Sequence, residues 1–197
     1  MGVEIFDLPV EAENMLKEYM LILKKYSKKV NVISKKISSE QLIDLINESL
    51  ILDKHTTGKN IVDAGSGNGI LGLPIAFLHP EKIVYLVEPR KKKSEFLNYA
   101  VKKLKVSNVV VLREGIEGFV KNKKKMNFTI IARGFPDNSK LISYLKKGVT
   151  DEVVLITSLD KIKKVEKGIE KYEQKIYNVP FRDNLKIIYI GNVSRET

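Results

Sequence analysis

The stretch Asp63-Ala64-Gly65-Ser66-Gly67-Asn68-Gly69-Ile70-Leu71-Gly72 sets four glycines behind one carboxylate. Its spacing fits three nucleotide-binding chemistries. Counted from Gly65 it is G-x-G-x-G, a loop over which the methionine part of S-adenosylmethionine can lie. Counted from Gly67 it is the G-x-G-x-x-G of dinucleotide sites, and the same outer glycines give the G-x-x-x-x-G of a phosphate-binding P-loop. The P-loop reading fails because it needs a lysine and a hydroxyl directly after the last glycine, where Leu73 and Pro74 stand.

Strand register separates the other two. The apolar run ends at Val62 and Asp63-Ala64-Gly65 closes it, so Gly65 is the better turning residue. Gly67 then lies in the loop and Gly69 at the entrance of a helix, with Pro74 tolerated in its first turns. Asp63 can hold an ammonium group, directly or through water. Any tight strand-to-helix turn wants a glycine, but three in five residues exceeds that need. A second strand ends in Leu86-Val87-Glu88. A carboxylate there accepts ribose hydroxyls, which fits S-adenosylmethionine and NAD equally; the plain alternative for Glu88 is an exposed strand-end glutamate.

These residues need a frame, and the apolar pattern supplies one. Residues 1–59 read as helical: Met15, Leu16, Tyr19, Ile22, Leu23 and Tyr26 follow the spacing of one buried stripe. A second helix starts at Ser38, where S-S-E-Q resembles a capping box. Neither helix carries a chemical motif. From Asn60 onward, β-branched runs at Ile61-Val62, Ile83–Val87, Val109–Leu112, Thr129–Ala132 and Val153–Thr157 alternate with helix-length segments at Gly69–Leu78, Lys91–Lys105, Ser139–Lys147 and Leu159–Tyr172. Such alternation means βαβ units and a parallel sheet covered on both faces. Gln174–Val179 and Leu185–Ile190 are joined by too short a link for a crossover helix, so they pair antiparallel. The expected fold is α/β, a Rossmann-like seven-stranded class I methyltransferase sheet, mostly parallel with an antiparallel C-terminal strand. Residues 60–197 form its core and 1–59 an N-terminal helical cap of the same domain.

Composition narrows the chemistry. The 197 residues contain no cysteine and two histidines, His55 and His79. A thiolate-zinc site and a cysteine nucleophile are thereby excluded, and no metal is expected. No apolar run approaches the roughly 20 residues that span a bilayer, and the start lacks a signal-peptide layout. A soluble, cytoplasmic protein with no membrane partner is expected. The net charge of +11 is concentrated in the clusters Arg90–Lys93, Lys102–Lys105, Lys121–Lys125 and Lys161–Lys164. It suits a polyanion such as RNA and equally suits solubility or thermal stability.

Four segments, DAGSGNGILGLPIA, LVEPRKKKSEFL, LKVSNVVVLREGIEGF and ARGF, resemble in combination the bacterial ribosomal RNA small subunit methyltransferase G family, also called glucose-inhibited division protein B. KKYSKKVNVIS and INESL are similar to further motifs of that family. The resemblance implies a class I S-adenosylmethionine-dependent enzyme that methylates N7 of one guanosine in 16S rRNA, alone or in the small subunit. It implies cofactor contacts at Gly65, Ile70, Ile116, Glu117 and Arg133, and an RNA-facing basic pair at Lys92 and Lys93. Ile116 has a plain alternative as core.

Arg133 is the candidate for orienting the guanine or the methionine carboxylate, with a surface salt bridge as its alternative. Phe135 either stacks on the base or packs. The chain departs from the family at Gly115, where arginine is usual and Arg113 offers a substitute, at Asp44-Leu45 in place of Arg-His, and at Thr157 near a usual lysine. Guanine N7 has a free lone pair and no proton, so no catalytic acid or base is expected and alignment supplies the rate. A monomer is expected. Rival readings are an RNA-binding ribosome assembly factor with a vestigial pocket and a small-molecule methyltransferase.

Overall fold

The computed structural model describes residues 8–28, 30–34, 36–122, 126–158, 160–161, 169–180 and 182–192. The β-branched runs form β1 (Asn60–Ala64), β2 (Ile83–Val87), β3 (Val109–Leu112), β4 (Thr129–Arg133) and β5 (Glu152–Ser158). Two further strands, β6 (Glu173–Asn178) and β7 (Leu185–Gly191), close the chain. The sheet has the order β3-β2-β1-β4-β5-β7-β6. Neighbours among β1 to β5 are parallel, whereas β7 runs antiparallel to both β5 and β6. Central strands of such a sheet are covered on both faces and are apolar along most of their length. That is why β4 reads TIIAR and β5 EVVLITS, each buried except at its last residue.

Among the described residues, the helices α1 (Val10–Ser27), α2 (Ser39–Asp53), α3 (Gly72–Leu78), α4 (Lys91–Lys103), α5 (Ile116–Asn122) and α6 (Asn138–Lys146) cover the sheet. Strand alternation sorts the core in two. Ile61, Leu86, Ile131 and Val154 meet α1 to α4 on one face, while Val62, Ala64, Val87 and Ile130 meet α5 and α6 on the other. The cap is therefore a layer of the fold, joined to it through α3, where the Tyr19 and Phe77 rings meet edge-on at 6.1 Å.

The capping box at α2 forms as its sequence predicts. Ser38 Oγ accepts from the Gln41 N–H at 3.1 Å, and Gln41 Oε1 accepts from the Ser38 N–H at 3.0 Å. Two details differ from expectation, and a third lies mostly beyond the described residues. α3 starts at Gly72 instead of Gly69, because Gly65, Gly67 and Gly69 all have positive φ and the chain cannot enter a right-handed helix until the last of them is passed. α5 was not expected, since its seven residues include Gly118 and are too few to display a helical period. The helix expected at Leu159–Tyr172 lies largely outside the described residues, as do parts of the lysine clusters at 121–125 and 161–164; Tyr172 itself sits in the turn before β6.

Gly72 anchors α3 against the sheet. A Cβ there would lie 2.5 Å from Leu86 Cδ2 and 3.0 Å from Asp63 Oδ2. Gly72→Ala should therefore lower the unfolding free energy by roughly 1–3 kcal/mol, the usual cost of overpacking a closed core, despite the better helix propensity of alanine. Chemical denaturation reads this directly, and a variant as stable as the parent would show that α3 can shift away from β2.

Candidate active site

At the carboxyl ends of β1 and β4, where the strand order reverses, the sheet opens into a cavity of about 580 Å³. This is the place where open α/β sheets bind ligands. Its walls come from the glycine loop, from Pro89, Arg90 and Lys93, from Gly115 to Glu117, and from Arg133 to Pro136. Val32, in the link between α1 and α2, adds an apolar contact from the cap.

The loop is shaped by left-handed backbone. Gly65, Gly67 and Gly69 have φ of +73°, +62° and +82°, values that L side chains rarely adopt. Gly65 turns directly out of β1, and the N–H groups of Gly65 and Ser66 donate to Val87 O at 2.9 and 3.2 Å, stitching the loop to the end of β2. Gly65 and Gly67 line the cavity. Gly69 has a packing role instead: the space its Cβ would take is filled by Leu73 and Leu97, each 2.8 Å away. Ile70 is buried and lines the cavity behind the loop.

Asp63 lies in the cavity floor, almost fully buried, and its Oδ2 accepts from the Gly72 N–H at 3.1 Å. Burial pushes its carboxyl up to about 7, helped by the negative charge of Glu88 and opposed by the Gly72 hydrogen bond. Glu88 is fully buried too, yet its carboxyl stays below the ordinary range. Burial alone would raise it, but donors outweigh that. The Arg90 N–H and Nε reach Oε1 at 2.9 and 2.8 Å, while Gly67 N–H and Arg90 Nη2 reach Oε2 at 2.8 and 3.1 Å. Glu88 thus does not line the cavity directly. The Arg90 side chain that covers it is 63% exposed.

On the opposite wall Arg133 Nε donates to Glu48 Oε2 at 2.5 Å. Glu48 is 2% exposed, so the pair is no surface salt bridge. Arg182 Nε lies 3.3 Å from the other oxygen of Glu48, without the alignment of a hydrogen bond. The Phe135 ring stands 3.6 Å from where a Gly65 Cβ would be, half-buried at the mouth. Ile116 is both core and cavity wall, and Glu117 beside it pairs with Lys140.

The basic pair splits. Lys93 is half-buried in the cavity wall, and burial together with the Arg90 charge lowers its pKa against the opposing pull of Glu88. Lys92 is exposed and outside the cavity. Arg113 is exposed and also outside it, so it does not fill the place left by Gly115. Thr157 is buried and accepts from Asn138 Nδ2 at 3.0 Å, and Asp44 and Leu45 are half-buried on α2, away from the cavity.

The cap, read from sequence as carrying no chemical motif, holds the site. Tyr19 Oη donates to Asn68 O at 2.8 Å and Ser49 Oγ to Leu71 O at 2.5 Å. Glu48 takes Arg133 as described. The signals were a tyrosine on the buried stripe of α1 and the polar run Asn47-Glu48-Ser49 between Ile46 and Leu50 of α2, within the INESL segment that resembles a family motif. Among the described residues no cluster of His, Cys, Asp and Glu is arranged to hold a metal ion, and no helix is long and apolar enough to cross a membrane.

Residues 12–184 match the family model for rRNA small subunit methyltransferase G. The ribosomal RNA small subunit methyltransferase G of Colwellia psychrerythraea is 31% identical over 142 residues, which cover 72% of this chain and 67% of that protein. The namesake from Vibrio cholerae is 34% identical over 101 residues, 51% of this chain and about half, 48%, of its own length. In fold the chain is similar to precorrin-6y C5,15-methyltransferase from Geobacter metallireducens, with a TM-score of 0.60 at 15% identity over 81% of this chain and 92% of that one.

The raised Asp63 carboxyl has a direct consequence for stability. Its folded pKa, about 7, lies above the ordinary 3.8. Its contribution is therefore complete below pH ~4, declines as pH rises through ~7, and is flat above, a loss of about 4 kcal/mol across the window. Denaturation curves of the parent and of Asp63→Asn, compared between pH 4 and 8, should diverge over this window, with the variant gaining relative stability as pH rises. A constant difference would mean that Asp63 ionises normally.

Proposed function

Since the chain belongs to the rRNA small subunit methyltransferase G family, a family of S-adenosylmethionine-dependent enzymes, we propose that it methylates N7 of a guanosine in 16S rRNA. The observation that carries the reading is the glycine loop. Its positive-φ residues bare the backbone at a strand-order switch point, over a buried carboxylate and beside a cavity walled by Arg133 and Lys93.

The residues fit the cofactor. The cavity is of the size small-molecule sites have, roughly 300–1,000 Å³, and combines a carboxylate for an ammonium group with bare glycine backbone and apolar walls at Ile70 and Ile116. S-adenosylmethionine supplies an electrophilic methyl group on a positively charged sulfur. Asp63 would hold the ammonium, Glu88 the ribose once Arg90 has moved, and Ile116 with Glu117 the adenine. A positive charge arriving beside Asp63 removes the proton that burial retains, so binding below neutral pH releases a proton.

Guanine N7 brings its own in-plane lone pair, so Asp63 is not required as a base despite its raised pKa. The chain has to align the base and exclude water. Arg133, fixed by buried Glu48, is a rigid donor at the cavity rim suited to the guanine or the methionine carboxylate, and Phe135 offers an apolar face at the mouth. Lys92 and Lys93 face the RNA. A flipped-out base is cheapest to obtain in a single-stranded loop. The protein acts in the cytoplasm, where its substrate is made, and as a monomer.

Gly67→Val tests the site. Only distant atoms, the nearest at 3.8 Å, would meet its Cβ, so the variant suffers from backbone strain at φ +62° rather than from a clash. The folded variant should lose at least about tenfold in S-adenosylmethionine affinity by calorimetry, and methyl transfer to 16S rRNA should fall at least as far. Full activity would remove the loop from the mechanism, and a product other than N7-methylguanosine on nucleoside mapping would overturn the proposed position.

A further inference from the structure

Away from the cavity, α1 and α4 enclose a groove of about 380 Å³. Leu21, Ile22, Tyr26 and Tyr99 form its apolar lining, with Lys25 and Lys103 at its edges and Glu18 opposing them. Tyr26 packs on buried Phe96 at 4.9 Å and on Tyr99 at 5.5 Å, the two tyrosine rings inclined by 35°. Phe96 fixes this short aromatic stack from below, while Tyr99 remains 46% exposed and Leu21 69% exposed. Lys25, Lys92 and Lys103 make no ion pair among the described residues.

The groove lies on the helix that also walls the cavity, its face turned roughly 100° around the α4 axis from Lys93. Lys92, Tyr99 and Lys103 are spaced i, i+7, i+11 on α4 and so lie along one face of that helix, whose Lys93 lines the cavity wall. Tyr99 is six residues beyond Lys93, about 9 Å along the axis, or about two to three stacked nucleotides. Positive charge interleaved with aromatic faces is how proteins hold single-stranded nucleic acid: cations follow the phosphates, and rings take the bases.

We propose that this groove is a second RNA subsite, in which an unpaired base a few nucleotides from the methylated guanosine stacks on Tyr99 while Lys92, Lys103 and Lys25 take the phosphates. The subsite rests on the RNA-methylating reading above. It accounts for the exposed member of the basic pair, Lys92, which the cofactor cavity leaves unused.

The test compares Tyr99→Ala and Tyr99→Phe with the parent chain. Affinities are measured for a short oligoadenylate, for protein-free 16S rRNA and for the small subunit, with S-adenosylmethionine calorimetry on the same samples. Tyr99→Ala should bind both RNAs about tenfold more weakly, Tyr99→Phe within about twofold of the parent, and the cofactor equally well in all three. Undiminished RNA affinity in Tyr99→Ala, or an equal loss in Tyr99→Phe, would overturn the proposal. A loss confined to the small subunit would also overturn it, assigning the groove to a ribosomal protein. If the parent methylates 16S rRNA and Tyr99→Ala is unaffected, the groove alone is refuted. If the parent neither methylates nor binds RNA, the RNA reading falls with it.

Discussion

Everything at this site depends on holding Asp63–Gly72 open. The segment turns through left-handed conformations at Gly65, Gly67 and Gly69 and has no internal ladder to keep it there. Hydrogen bonds fix it at nearly every step: from outside, Val87 O takes Gly65 and Ser66 and Glu88 takes Gly67, while Asp63 at its own start takes Gly72. Tyr19 and Ser49 reach down from the cap to Asn68 and Leu71. Backbone groups committed to fixed partners cannot collapse into the cavity, which keeps a bare glycine loop ordered along its wall.

Two neighbouring carboxylates are driven in opposite directions by the same fold. Glu88 is surrounded by donors and stays ionised, while Asp63 has a single backbone donor, sits in the field of Glu88, and is pushed towards neutrality. Asp63 is thus the group with an unmet demand for positive charge. Arg90 meets that demand for Glu88 from an exposed position. Across the cavity Glu48 does for Arg133 what Arg90 does for Glu88: it fixes a charge at the rim.

Much of this was legible in the chain. The strands, the α2 capping box and the antiparallel close follow from period and turn chemistry, and the register of the loop followed from where the apolar run stopped. What could not be read were relations between distant positions. Nothing local says that Tyr19 meets Asn68, that Glu48 meets Arg133, or that Leu73 and Leu97 fill the space beneath Gly69. The helix α5 escaped because one buried face of two turns leaves too few apolar positions to count.

If Asp63 holds the ammonium group of S-adenosylmethionine as proposed, it gives up its proton when the cofactor binds. Titration calorimetry at pH 6, repeated in buffers of different ionisation enthalpy, measures protons released on binding. The account predicts release approaching one proton in the parent and none in Asp63→Asn. Binding that is tight and proton-neutral in the parent would contradict it.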